Sequence, residues 1–218
     1  MIKALIFDFD GTILDTESQE YQALKEIFEE HGCELPLDVW GKCIGTANVF
    51  DPYEYLEEQY KQPIKHDELR EKRMKRSHSL ILEQEALPGV VAYLEAAKEL
   101  GLKIGLASSS TRSWVTGHLE RIGLLHYFET IKTADDVDEV KPNPALYLEA
   151  AQALGVKSEE AVAFEDSVNG AKAAKAAGMF CVAIPNPVTR HMNFDGTDLV
   201  LESLAQKELS DLLHSLNN

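Results

Sequence analysis

Long apolar runs are missing from this chain of 218 residues. No apolar run reaches the ~18 residues that a membrane-spanning helix needs. The N-terminus has no charged region ahead of an apolar stretch and a cleavage site, so a soluble, cytoplasmic protein is expected. Cysteine is scarce: Cys33, Cys43 and Cys181 are far apart. Three cannot all pair within one chain, and neither CxxC nor a Cys/His zinc spacing occurs, so reduced core thiols are expected. The seven histidines are scattered and read as structural or exposed. Positive charge is short as well, with 21 Lys and Arg against 37 Asp and Glu and a net charge of −16. A surface that acidic repels nucleic acid and anionic membranes. An anionic substrate would need a local cation or a bound metal to offset it. Walker A, GxGxxG, HExxH and GxSxG runs are all absent, which removes the P-loop, dinucleotide, zincin and serine-hydrolase readings. There is no internal repeat and no low-complexity segment.

What is present begins at Leu5-Ile6-Phe7-Asp8-Phe9-Asp10-Gly11-Thr12. A short apolar run stops at two aspartates and a glycine. Buried strands do not normally carry charge. Side chains alternate along a strand, so Asp8 and Asp10 start on one side with Phe9 turned away. Gly11 lets the chain turn out. Taken alone, Asp-x-Asp-Gly is also the sequence of a plain strand-end turn; three later segments argue against that.

Helical spacing follows. Thr16 and Gln19 resemble a capping box ahead of Tyr21, Leu24, Ile27 and Phe28, and Gly32 ends the run. Pro36 to Ile44 reads as a short helix, Asp51-Pro52 opens another, and His66 to Glu83 a fourth with Leu69, Met74, Leu80 and Ile81 inward. Arg70, Lys72, Arg73, Lys75 and Arg76 on that last helix read as a solvated face, with a cationic landing surface for an anion as the alternative. No strand is expected from Leu14 to Glu85. From Pro88-Gly89 strands and helices alternate: strands at 102–107, 128–133, 161–164, 179–184 and a short one at Leu199-Val200, with helices between them and one in the tail. Such alternation means a parallel sheet with right-handed crossovers. At 44% hydrophobic, the chain can bury a core of this size. The expected architecture is α/β: a doubly wound parallel-sheet core, 1–14 plus 86–218, with an all-helical cap inserted at 15–85.

Polar groups recur at strand ends: Asp8 and Asp10, then Ser108 and Ser109, then Lys141 in a loop, then Glu165 and Asp166. In a doubly wound sheet these ends share one edge, where ligands bind. Gathered carboxylates raise each other's pKa, and a hard divalent cation relieves that. Mg²⁺ takes oxygen ligands and commonly joins one or two carboxylates to a phosphate. The lack of a His/Cys cluster disfavours zinc and copper. Ser108 can donate a hydrogen bond and Lys141 a charge to phosphoryl oxygens. Together these are the parts of a phosphoryl-transfer site.

Asp8-Phe9-Asp10-Gly11-Thr12, Ser108, Lys141-Pro142 and Glu165-Asp166-Ser167 resemble, in order and spacing, the four motifs of the haloacid dehalogenase superfamily, with its Rossmann-like core. The helical insert resembles the small cap of the β-phosphoglucomutase/phosphatase subfamily. The resemblance implies Asp8 as the nucleophile that becomes an aspartyl phosphate, and Asp10 as the acid and then base. It implies Mg²⁺ on Asp8, the backbone carbonyl of Asp10 and Asp166, with Glu165 nearby or as an alternate ligand. Ser108, the Ser109 amide and Lys141 would hold the phosphoryl group. An aspartate at position 10 separates phosphatases from the dehalogenases, because a leaving alkoxide needs a proton and halide does not.

β-Phosphoglucomutases resemble the chain but carry a cap histidine and a loop cation where this sequence has Glu20 and Asn48. That favours water as the acceptor. The expectation is a monomeric phosphatase of a small phosphomonoester such as a sugar phosphate. A mutase, or a non-catalytic binding protein on the same fold, is the alternative. A phosphonatase-type Schiff base at Lys42 is the weakest reading.

Overall fold

Ala4–Phe7 is apolar at every position and becomes β1, a fully buried strand at the centre of the sheet. The computed structural model describes residues 1–41 and 51–216. Cys43, Lys42 and the loop Gly45-Thr46-Ala47-Asn48 lie outside the described residues. β1 pairs with β2 (Lys103–Ala107) on one side and β4 (Ala161–Glu165) on the other. With β3 (Thr130–Lys132), β5 (Phe180–Ala183) and β6 (Leu199–Val200), the order is β3-β2-β1-β4-β5-β6, parallel throughout. Phe7 lies level with Leu106 and Phe164, so Asp8 emerges flush with the ends of its neighbours.

Side-chain alternation gives the sheet two unlike faces. Leu5, Phe7, Ile104, Leu106, Val162 and Phe164 point one way, onto α5 (Val90–Glu99), α6 (Arg112–Arg121) and α9 (Leu209–Leu216). Phe7 and Phe164 stack there at 4.7 Å. Ala4, Ile6, Ala161, Ala163 and Cys181 point the other way, onto α7 (Ala145–Leu154) and α8 (Val168–Ala176). This second face is rich in alanine on both sides, which lets the helices sit close.

Between β1 and α5, the described residues of 15–85 contain helices only: α1 (Glu17–Glu30), α2 (Leu37–Trp40), α3 (Pro52–Tyr60) and α4 (His66–Leu82). Leu24, Ile27, Phe28, Trp40, Tyr53 and Leu56 form a separate apolar cluster there. The two tethers run side by side: Leu14 bridges Ala86, and the Leu87 amide donates to Ile13 at 2.8 Å.

Two local expectations fail for physical reasons. Thr16 makes no cap hydrogen bond; its hydroxyl donates to Asp10 instead, and Asp15 accepts from the Ser18 amide at 3.0 Å. Met74 is 59% exposed, because its stripe of α4 overlooks a gap toward α6 where packed core was expected. The α4 cations are not merely solvated: Arg73 pairs with Glu20, Arg76 with Glu26 and Lys72 with Glu30, all on α1, while Arg70 pairs with Asp51 and Lys75 with Glu71. All but Lys75–Glu71, which lies within α4, link that helix to α1 or to the start of α3. Among the described residues, no helix is long and apolar enough to cross a membrane.

Candidate active site

The carboxyl edge of the sheet carries the acids. The Asp8 amide continues the ladder by donating to Phe164 at 2.9 Å, which fixes its backbone before the chain turns. Gly11 then adopts φ +76°, and a Cβ there would stand 2.2 Å from Asp166 Oδ2. Only glycine fits so close to that carboxylate.

Asp8, Glu165 and Asp166 bring carboxylate oxygens within 4.8 Å of one another, all buried. Lys141 stands among them, donating to Asp8 Oδ1 at 2.6 Å and to Glu165 Oε1 at 2.7 Å. Burial, with Glu165 and Asp10 adding and Lys141 opposing, pushes the Asp8 carboxyl up to about 8. Burial, then Asp8 and Glu165, pushes Asp166 well above the ordinary carboxylate range. Burial opposes charge on Lys141, yet Asp8 and Glu165 prevail and raise its pKa. One ammonium thus faces three carboxylates, and a divalent cation fits the deficit. The donor set fits too: oxygen alone, as Mg²⁺ requires.

The three acids are not equivalent. Glu165 receives Lys141 and the Tyr147 hydroxyl on Oε1, and the Ser167 amide and hydroxyl on Oε2. Gly170 leaves room for it, since a Cβ there would lie 1.9 Å from that carboxyl group. Glu165 is already surrounded by protein donors. Asp166 accepts from Asn186 Nδ2 at 2.6 Å, and Asn186 in turn accepts from the Val188 and Thr189 amides.

Asp10 is in different surroundings. Its Oδ1 accepts from Thr16 Oγ1 and Trp114 Nε1, each at 2.9 Å, and its Oδ2 from Ser110 Oγ at 2.6 Å. The carboxylate lies outside the acid cluster, so a metal role for Asp10 involves its backbone carbonyl alone. Ser108 is buried at the end of β2, its hydroxyl accepting from the Ser110 amide, while Ser109 is exposed.

Five residues escaped the sequence reading of the site. Asn186 follows β5 and was findable by extending the strand-end rule one strand further. Ser110 is two residues beyond Ser108. Tyr147 and Trp114 sit at ordinary helical spacing and carry no local signal. Glu17 belongs to the cap residues around Glu17 to Tyr21 and Gly45 to Tyr53, where the sequence locates specificity but not which way the side chains face; burial, with Asp10 and Glu20 beside it, pushes its carboxyl up to about 8.

Comparison with known proteins identifies the family. Residues 5–184 match the family model described as Haloacid dehalogenase-like hydrolase. A Bacillus subtilis (strain 168) protein named "Putative phosphatase YhcW" is 62% identical over 218 residues, covering 100% of this chain and 99% of the relative. Hexitol phosphatase B of Escherichia coli (strain K12) is 34% identical, covering 97% of each. The crystal structure of CbbY from Rhodobacter sphaeroides in complex with phosphate superimposes with a TM-score of 0.73 at 30% identity, covering 94% of this chain and 96% of that one.

Proposed function

The chain belongs to the haloacid dehalogenase-like hydrolase family, and from there we propose that it is a Mg²⁺-dependent phosphatase of a small phosphomonoester, such as a sugar phosphate. Relatives named as a phosphatase and as hexitol phosphatase B support this substrate class. We place its action in the cytoplasm, as a monomer, with 1–14 and 86–218 as the core and 15–85 as the cap.

Asp8, Asp166 and the Asp10 carbonyl would hold the metal, with Glu165 beside them. When bound, Mg²⁺ supplies positive charge that keeps the acids ionised and offsets the phosphoryl group's charge. The rest falls to the chain. An Asp8 oxygen attacks phosphorus, forming an acyl phosphate as the ester P–O bond breaks. Asp10 gives its proton to the departing alkoxide; such help is worth about 10²–10⁴-fold. Asp10 then takes a proton from water, whose oxygen attacks phosphorus and returns Asp8 and inorganic phosphate. Ser108, the Ser109 amide and Lys141 steady the phosphoryl oxygens throughout.

The observation carrying this reading is the separation of the two aspartates: Asp8 is buried with Lys141 and the metal-type acids, and Asp10 is held apart by three neutral donors. Water is favoured over a hydroxyl of a sugar phosphate as acceptor, because Glu20 offers a carboxylate, already paired with Arg73 at 2.8 Å, where a mutase has histidine. The test is phosphate release from p-nitrophenyl phosphate and a panel of sugar and polyol phosphates with Mg²⁺. Wild type should release phosphate, and Asp8→Asn should not. No release across the panel, or isomerisation of β-glucose 1-phosphate without release, would overturn the reading.

A further inference from the structure

Asp10 is gripped from two directions. Thr16 approaches from the first tether, and Trp114 from α6 in the sheet-packed part of the molecule. Three donors reach one carboxylate, and they differ in kind. A hydroxyl is both donor and acceptor and can turn over when its partner gains a proton. An indole N–H only donates. The Oδ1 that faces Trp114 must therefore stay an acceptor. Among the described residues, the donor to Oδ2 is the Ser110 hydroxyl, at 2.6 Å, which can switch roles.

The indole is itself held in place. His118, 6% exposed, meets it edge-on at 4.4 Å and stacks in turn near Phe9, the residue between the two aspartates. The ring also lines a cavity of about 320 Å³ with Glu20, Met74, Lys75, Ser77 and His78. That cavity lies between α4 and α6, one indole away from Asp10. A group seated there would rest against the ring that orients the acid.

From this geometry we infer that Trp114 is a positioning residue for Asp10: its indole N–H fixes the carboxyl so that Oδ2 is the oxygen that exchanges protons with the leaving alcohol and the attacking water. The inference rests on the phosphatase reading, and its test separates the two. Trp114→Phe keeps an aromatic ring while removing the N–H and part of the indole, and Trp114→Leu is a second variant without a donor; a leaving-group ratio separates loss of the donor from loss of packing.

Proton donation matters for a poor leaving group such as an alkoxide and little for p-nitrophenolate. The readout is therefore the ratio of kcat/KM on the best alkyl phosphate of the panel to kcat/KM on p-nitrophenyl phosphate. Loss of the N–H should lower this ratio about tenfold, a fraction of what an acid contributes in full. In an Asp10→Asn background the same substitution should not change the ratio further. A loss equal on both esters, no loss on either, or the same ratio change without Asp10 overturns the inference and leaves the phosphatase standing. Wild-type protein that releases phosphate from neither ester overturns both.

Discussion

Tyr147 donates its hydroxyl to the same Glu165 oxygen that accepts from Lys141, at 2.6 Å and 2.7 Å. The Lys141 ammonium also lies 5.0 Å from the centre of the Tyr147 ring. A buried phenol thus anchors the carboxylate that aims the lysine at Asp8. Removing a hydrogen bond to a charged group costs about 1.5–3 kcal/mol. Tyr147→Phe should lower Tm by several degrees and slow phosphate release less than Lys141→Ala does. Thermal melting and steady-state assay check this, and a variant with wild-type Tm would refute the anchoring role.

Gly11→Ala should be far more damaging than a one-carbon change suggests. The new Cβ would sit 2.2 Å from Asp166 Oδ2 on a backbone at φ +76°. The expected outcome is Mg²⁺ affinity reduced at least tenfold in a titration calorimeter, with the far-ultraviolet spectrum retained. Native affinity would show that Asp166 does not hold the metal in this conformation.

Glu17 gives a pH signature. Its folded carboxyl is raised to about 8 from an ordinary 4.5, burial being the first cause. Between those values the unfolded chain loses the proton while the folded one keeps it, so stability falls as pH rises. Glu17→Gln removes the effect. In EDTA the variant and wild type should melt together near pH 4, and the variant should melt several degrees higher at pH 8. Parallel curves across that range would contradict the burial of this acid.

In the helical segment, Leu56 is fully buried among Leu24, Phe28 and Tyr53. Leu56→Ala should cost about 2–5 kcal/mol in urea denaturation, the range for a leucine cavity. Breaking the exposed Arg76–Glu26 pair should cost much less, since water solvates both partners. Equal costs would mean that ion pairs, and not the apolar cluster, hold these helices together.

The sheet was legible because the sequence repeats one local statement. Apolar runs such as Ala4–Phe7 and Ala161–Phe164 each end at an acid and lead to a helix with its own stop residue. Parallel order follows from that alternation, and with it the meeting of Asp8, Lys141, Glu165 and Asp166. What stayed hidden depends on distance along the chain. Thr16 reads locally as a cap, but an acceptor six residues back, Asp10, takes its hydroxyl. Trp114 and Tyr147 are 104 and 18 residues from the carboxylates they hold, and nothing near them in sequence marks the link. Met74 obeys the helical stripe yet faces a cavity, because periodicity gives a side and not what lies opposite.

Each of the five α4 cations already holds a carboxylate, which leaves that helix nothing with which to draw a phosphate ester through solution. A dianion then approaches a molecule of net charge −16 against its field, and capture is left to Lys141 and the metal at short range. Salt should consequently hasten encounter. As the screening length shrinks from about 10 Å at 0.1 M to about 3 Å at 1 M, the repulsion fades before the buried contacts weaken. Added salt should thus raise kcat/KM, the reverse of a steered enzyme.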